Sequence, residues 1–187
     1  GGPGTGKTTS ILFLLINILN TYKDYNVYLT APSGKAASRM KESILGSLKR
    51  VKEDFKNQNQ ELITKIEKLE ESTIHRLLSF NSESSDFTYN KNYQFPDKSI
   101  FVIDEASMID ICIFNSLLEA IPTNARVFIM GDKNQLPSVE CGAVFGELLK
   151  MDSLKDNIIE LDESKRFDES TDIYKLANII NKNQKLN

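Results

Sequence analysis

Cysteine is scarce in this chain. Cys112 and Cys141 are too few and too dispersed among 187 residues for a disulfide framework or a metal site, which suits a reducing, cytoplasmic setting. Long apolar runs are missing as well. The longest, Ile11 to Ile16, falls far short of the ~20 residues that cross a bilayer, so no membrane partner is expected. With only 9 Gly and 5 Pro, fibrous and disordered classes are excluded. Nor is there an excess of positive charge: the net charge of −3 excludes the chain as a whole as a basic nucleic-acid binder. One stretch departs from that balance. Between Lys35 and Lys56, seven basic residues (Lys35, Arg39, Lys41, Lys49, Arg50, Lys52, Lys56) stand against Glu42, Glu53 and Asp54. Such a run is either a phosphate-tracking stripe or a solvated helix face, and charge does not separate the two.

What is present is an alternation of strand and helix patterns of a length suited to one core. Ile11, Leu12, Leu15, Ile18 and Leu19 recur at helical spacing, predicting a helix from Thr8 to about Tyr22. NVYLTA reads as a buried strand, Gly34 to Leu45 as a second helix, and Leu48 to Glu71 as an amphipathic helix or a pair broken near Asn57 to Asn59. Ser72 or Thr73 can cap a short helix IHRLLSF. The polar segment from Asn81 to Asp97 reads as a loop or hairpin. Ile100 to Ile103 suggests a buried parallel strand that ends in two acids. A helix from about Ile111 to Ala120, a strand Arg126 to Met130, a helix Ala143 to Lys150, a short strand near Ile158 to Leu161 and a helix Asp172 to Asn181 complete the pattern. This order predicts an α/β fold with a largely parallel sheet flanked by helices.

Three pieces carry chemistry. The first is GGPGTGKTT, which meets the pattern G-x-x-x-x-G-K-[ST] through Gly1, Gly6, Lys7 and Thr8. Successive backbone N–H groups in such a turn form a nest for phosphate oxygens, which makes Gly1, Gly2, Gly4, Thr5, Gly6, Lys7, Thr8 and Thr9 the nucleotide-binding candidates. Lys7 would reach the β- and γ-phosphates, and the Thr8 hydroxyl would bind Mg²⁺. The second piece is Asp104 and Glu105 at the end of a strand, where Asp104 would hold the metal and Glu105 would orient and deprotonate the attacking water. The third is GDKNQLPSV after the strand VFIM, with Gln135 the candidate to sense the γ-phosphate. ATP and Mg²⁺ are the cofactors these pieces call for.

Taken in order, the blocks GGPGTGKTT, APSGKAASRM, STIHRLL, VIDEASMID, GDKNQLPSVECGAVFGELL and LDESKRF resemble the first motor domain of a superfamily 1 DNA helicase, and most closely the RecD family, the alpha subunit of exodeoxyribonuclease V. They span nearly the whole chain. The resemblance implies a RecA-like P-loop NTPase domain and ATP hydrolysis coupled to movement on single-stranded DNA in recombination and repair. It carries Lys7, Glu105, Gln135 and Arg166 as catalytic residues, with Arg166 reaching the γ-phosphate like an arginine finger, and Thr8 and Asp104 as metal ligands. It also suggests Ser33, Gly34, Lys35 and His75 as contacts to the DNA backbone. His75 is the only histidine, and by its pattern alone it would be a packed or capping residue. Cys141 reads as a packing substitution.

In the family a central strand precedes the P-loop and a second motor domain follows the LDESKRF block. Residues 1–187 are therefore expected to be a partial motor domain, truncated at both ends, lacking the strand before the P-loop and weak or inactive in isolation. That strand is an inner one in RecA-like sheets, so its loss should leave backbone groups unpaired unless another strand fills the slot. RecB-like and RecC-like subunits are the expected partners of the parent, with 5′ to 3′ polarity. A stand-alone helicase of the Pif1 or TraI type and a nucleotide-binding interaction module without turnover are the alternatives.

Overall fold

The computed structural model describes residues 5–55, 60–83, 86–132, 135 and 144–161. Its centre is a four-stranded parallel sheet in the order β2-β1-β5-β6, where β1 is Asn26–Ala31, β2 Glu71–Thr73, β5 Ser99–Ile103 and β6 Arg126–Ile129. A separate two-stranded antiparallel pair, β3 (Phe80–Asn81) and β4 (Asp86–Phe87), makes a small hairpin. The observed sheet thus matches the expected parallel α/β class.

The period of two along β5 divides the core. Ile100 and Val102 face one cluster, Phe101 and Ile103 the other, and all four are fully buried. Against the first face pack α1 (Lys7–Thr21), α2 (Gly34–Phe55) and α3 (Gln60–Glu67), through Leu12, Leu15, Met40, Ile44, Ile63 and Ile66 among others. The second face takes α4 (Ile74–Leu77) and α5 (Ile111–Ala120), through Ile74, Phe114, Leu117 and Ala120. Helices on both faces of a parallel sheet need strands that are apolar on both sides, and SIFVI supplies that composition. Phe95 also belongs to the second cluster, stacked on Tyr89 with 4.0 Å between ring centroids. The aromatic residues of the polar segment therefore serve packing in part.

Side-chain caps fix the starts of α4 and α5. The Thr73 hydroxyl accepts from the Arg76 N–H at the start of α4, as expected, and Asp110 accepts from Ile113 N–H at the start of α5. The second helix is longer than its predicted end at Leu45, because the apolar series Ala37, Met40, Ile44, Leu48 continues to Val51 without a break in spacing. The amphipathic stretch resolves into the end of α2 and α3, with 56–59 outside the described residues. A last helix, α6, is shorter than expected and covers Val144–Leu148.

One element differs in kind. Residues Asp152–Asn157 form a 3₁₀ turn and residues 158–161 are not a strand, against the expectation for Ile158 to Leu161. A strand exists only where a neighbour accepts its ladder hydrogen bonds, and this segment pairs with none of the described strands, leaving Ile159 80% exposed. Among the described residues the four strands of the sheet run in order with no internal gap. Among the described residues β6 bonds only to β5, so its other edge is open. The helix expected at Asp172 to Asn181 lies outside the described residues.

Candidate functional site

Parallel strands deliver their carboxyl ends to one edge, and the segments that leave this edge hold the acids, the Gln135 segment and the residues suggested for DNA. Across it run His75 after β2, Ser33 to Lys35 after β1, Asp104 and Glu105 after β5, and Gly131 to Gln135 after β6. The acids stand between the two groups.

Asp104 is half-buried at the end of the fully buried β5. Its N–H donates to Thr30 O at 3.0 Å, and its Oδ1 accepts from the Glu105 N–H at 2.9 Å. Burial pushes the Asp104 carboxyl above the usual carboxylate range. The Glu105 N–H pulls it down, the Glu105 charge adds to the rise, and the Lys7 ammonium opposes it. Such a carboxylate is poised for a cation, whose charge would remove the electrostatic cost of holding it out of water. Glu105 takes a left-handed backbone with φ 53°, uncommon for a residue with a side chain, and the Ala106 N–H after it bonds to Met130 O at 2.9 Å. This turn is therefore tied to both flanking strands.

Of the Gly-rich loop, Thr5 onward is described, while Gly1, Gly2 and Gly4 lie outside the described residues. Gly6 enters α1 at φ 87° and ψ 11°, a conformation that suits glycine, and as the N-cap residue it makes no side-chain cap bond. The first N–H groups of a 15-residue helix thus receive no capping oxygen from Gly6, the arrangement that suits phosphate. Lys7 Nζ lies 3.4 Å from Gly131 O, which brings the loop to the end of β6. Thr8 is half-buried. The Thr9 hydroxyl pairs with Ser47 of α2 at 3.1 Å, so its side chain is committed to helix packing. A nucleotide with Mg²⁺ fits this donor set: the amides of a helix N-terminus and a lysine for phosphate, a hydroxyl and a desolvated carboxylate for the metal.

Gln135 reaches back to the acid-bearing turn. Ser107 Oγ donates to Gln135 Oε1 at 2.7 Å, and Ser107 is itself buried. This contact across 28 positions was not readable from the sequence, although Ser107 lies within the VIDEASMID block. Arg166 lies outside the described residues, as does Cys141.

On the other half of the edge Ser33, Gly34 and Lys35 are exposed together at the start of α2. The Ser33 hydroxyl accepts from the Ala36 N–H at 3.2 Å, a capping role that sequence reasoning missed. His75 is exposed on α4 and neither buried nor a cap. Its ring lies 6.1 Å from Phe80 and 5.9 Å from Phe87, so the small hairpin surrounds it with aromatic faces. Of the basic run, Lys41 is paired with Glu71 at 2.8 Å, which draws one charge out of any stripe. Among the described residues no helix is long and apolar enough to cross a membrane.

Comparison with known proteins bears on this site. The family profile described as AAA domain matches residues 1–141. The RecBCD enzyme subunit RecD of Haemophilus influenzae is 34% identical over 97% of this chain, and the chain spans 32% of that protein's length. The ATP-dependent RecD2 DNA helicase of Deinococcus radiodurans is 34% identical over 76% of this chain and 16% of its own length. Among solved structures, Bacteroides Pif1 bound to single-stranded DNA is 18% identical, covers 92% of this chain with 46% of its own, and has a TM-score of 0.39. The chain thus spans about a third of the first of these relatives. With the strand-end acids and the parallel sheet in one arrangement beside α1, the chain belongs to the AAA domain family, and the relatives it resembles include RecD subunits and the RecD2 helicase.

Proposed function

We propose that residues 1–187 are part of the first motor domain of a superfamily 1 DNA helicase, which binds ATP and couples its hydrolysis to movement along single-stranded DNA in recombination and repair. The observation that carries the reading is the meeting, at one sheet edge, of Lys7, the burial-raised Asp104, Glu105 and Gln135. Lys7 and the first amides of α1 hold the phosphates. Thr8 and Asp104 hold Mg²⁺, which when bound offsets negative charge on the phosphate oxygens. Glu105 orients a water and takes its proton. Gln135 contacts the γ-phosphate, with Arg166 of the LDESKRF block as a second contact.

The DNA half of the edge is the exposed group Ser33, Gly34, Lys35 and His75. Backbone amides, a hydroxyl and one cation suit contacts to phosphate, which carry no sequence information and so suit a motor that moves along any sequence. The names of the relatives add RecB-like and RecC-like subunits as partners of the whole protein, acting in the cytoplasm. The RecD2 relative, named as a helicase in its own right, supports the stand-alone alternative.

The test is ATP turnover by the full-length protein with and without single-stranded DNA. Stimulation by DNA is expected, and Lys7→Ala should lower turnover by about a hundredfold or more, the scale of losing a charge-stabilising group. Turnover indifferent to single-stranded DNA would overturn the helicase reading.

A further inference from the structure

We infer that Ser107 is a positioning residue that fixes the orientation of the Gln135 side-chain amide and ties it to the turn carrying Asp104 and Glu105. The inference rests on the reading of Gln135 as the γ-phosphate sensor and deepens it. An amide has two chemically opposite ends, a carbonyl that accepts and an NH₂ that donates. A sensor of phosphate oxygens needs the donor end free. With Ser107 Oγ donating to Gln135 Oε1 at 2.7 Å, the carbonyl end is engaged and the Nε2 hydrogens are left to point elsewhere.

The anchoring side of this contact is rigid. Ser107 is 9% exposed in the 3₁₀ turn Ala106–Met108, directly after Glu105, and that turn is held by Ala106 N–H to Met130 O at 2.9 Å. Gln135 is by contrast exposed, in a loop whose described local hold on it is its own N–H to Asp132 O at 3.2 Å. A long exposed side chain has several rotamers open to it, and one buried hydroxyl on a fixed turn selects among them. Asp104, Glu105 and Ser107 therefore lie within four consecutive residues at the end of β5.

The experiment compares wild type, Ser107→Ala, Ser107→Thr, Gln135→Ala and the Ser107→Ala/Gln135→Ala double variant of the full-length protein. Two readouts are taken: DNA-stimulated ATP turnover, and the ratio of affinities for a non-hydrolysable ATP analogue and for ADP, which reads γ-phosphate sensing without turnover. Ser107→Ala should lower kcat and the affinity ratio by about fivefold to tenfold, the range of one net hydrogen bond, with ADP affinity unchanged. Ser107→Thr keeps the hydroxyl and should restore both within about twofold. The double variant should be no worse than Gln135→Ala, since two groups acting as one unit are not additive. If Gln135→Ala lowers both readouts while Ser107→Ala leaves them at wild-type values, or while the two losses multiply in the double variant, the positioning role is wrong and the sensor reading stands. If Gln135→Ala changes neither readout, the sensor reading fails and the positioning role fails with it.

Discussion

Two neighbouring strands of one sheet are held differently. β5 is buried at all five residues and bonded along both sides, to β1 and to β6. β6 is bonded on one side among the described residues, with Arg126 exposed over the Tyr22 ring and Val127, Phe128 and Ile129 half-buried. The first strand delivers the two acids, the second the loop that holds Gln135. The difference teaches where precision is built in: the carboxylate proposed to hold the metal sits on the most enclosed strand, whereas the proposed sensor is set on a less enclosed one and is tied to its neighbour through Ser107.

The largest test of that contrast is truncation on each strand. Phe101→Ala on β5 removes a fully buried ring and should cost about 4 kcal/mol, whereas Phe128→Ala on the half-buried β6 should cost about half as much, read as the shift in denaturant midpoint. Equal costs would mean that β6 is as enclosed as β5.

A smaller effect probes the junction after β6. A Cβ at Gly131 would stand 2.7 Å from the Phe145 ring of α6, so Gly131→Ala should cost about 2 kcal/mol by overpacking, and Phe145→Leu in the same chain should recover most of it. Absence of recovery would place the cost in the backbone.

The smallest effect has the opposite sign. Asp104 has a raised pKa in the folded state, so protonation favours the fold: the contribution is full below the unfolded pKa and lost as pH rises through the folded one. At neutral pH without metal the carboxylate is therefore a destabilising group. Asp104→Asn, which can still accept the Glu105 N–H, should raise metal-free stability at pH 7, with the gain shrinking as pH falls, while abolishing turnover. A less stable Asp104→Asn protein would show that burial is not what raises the group.

Much of this arrangement was legible beforehand for local reasons. The strand NVYLTA, the helix Ile111 to Ala120 and the cap at Thr73 follow from periodicity and capping chemistry within a few residues. The segment Ile158 to Leu161 looked like a strand by composition and is not one, because pairing depends on a neighbour that no local pattern supplies. His75 read equally well as a packed residue, and its exposure beside Phe80 and Phe87 depends on a hairpin whose two strands are each two residues long.

By itself the sequence determined the parallel α/β class, the Gly-rich loop before an apolar helix and the acids at a strand's end, since each is a matter of residue type at short spacing. Tertiary structure alone decided that β5 lies between β1 and β6, that Asp104 loses water, that Thr9 spends its hydroxyl on Ser47, and that Ser107 meets Gln135. The physical reason is common to all four. Strand order, burial and contacts between residues far apart in the chain arise only when the sheet closes its ladder and the helices cover its faces.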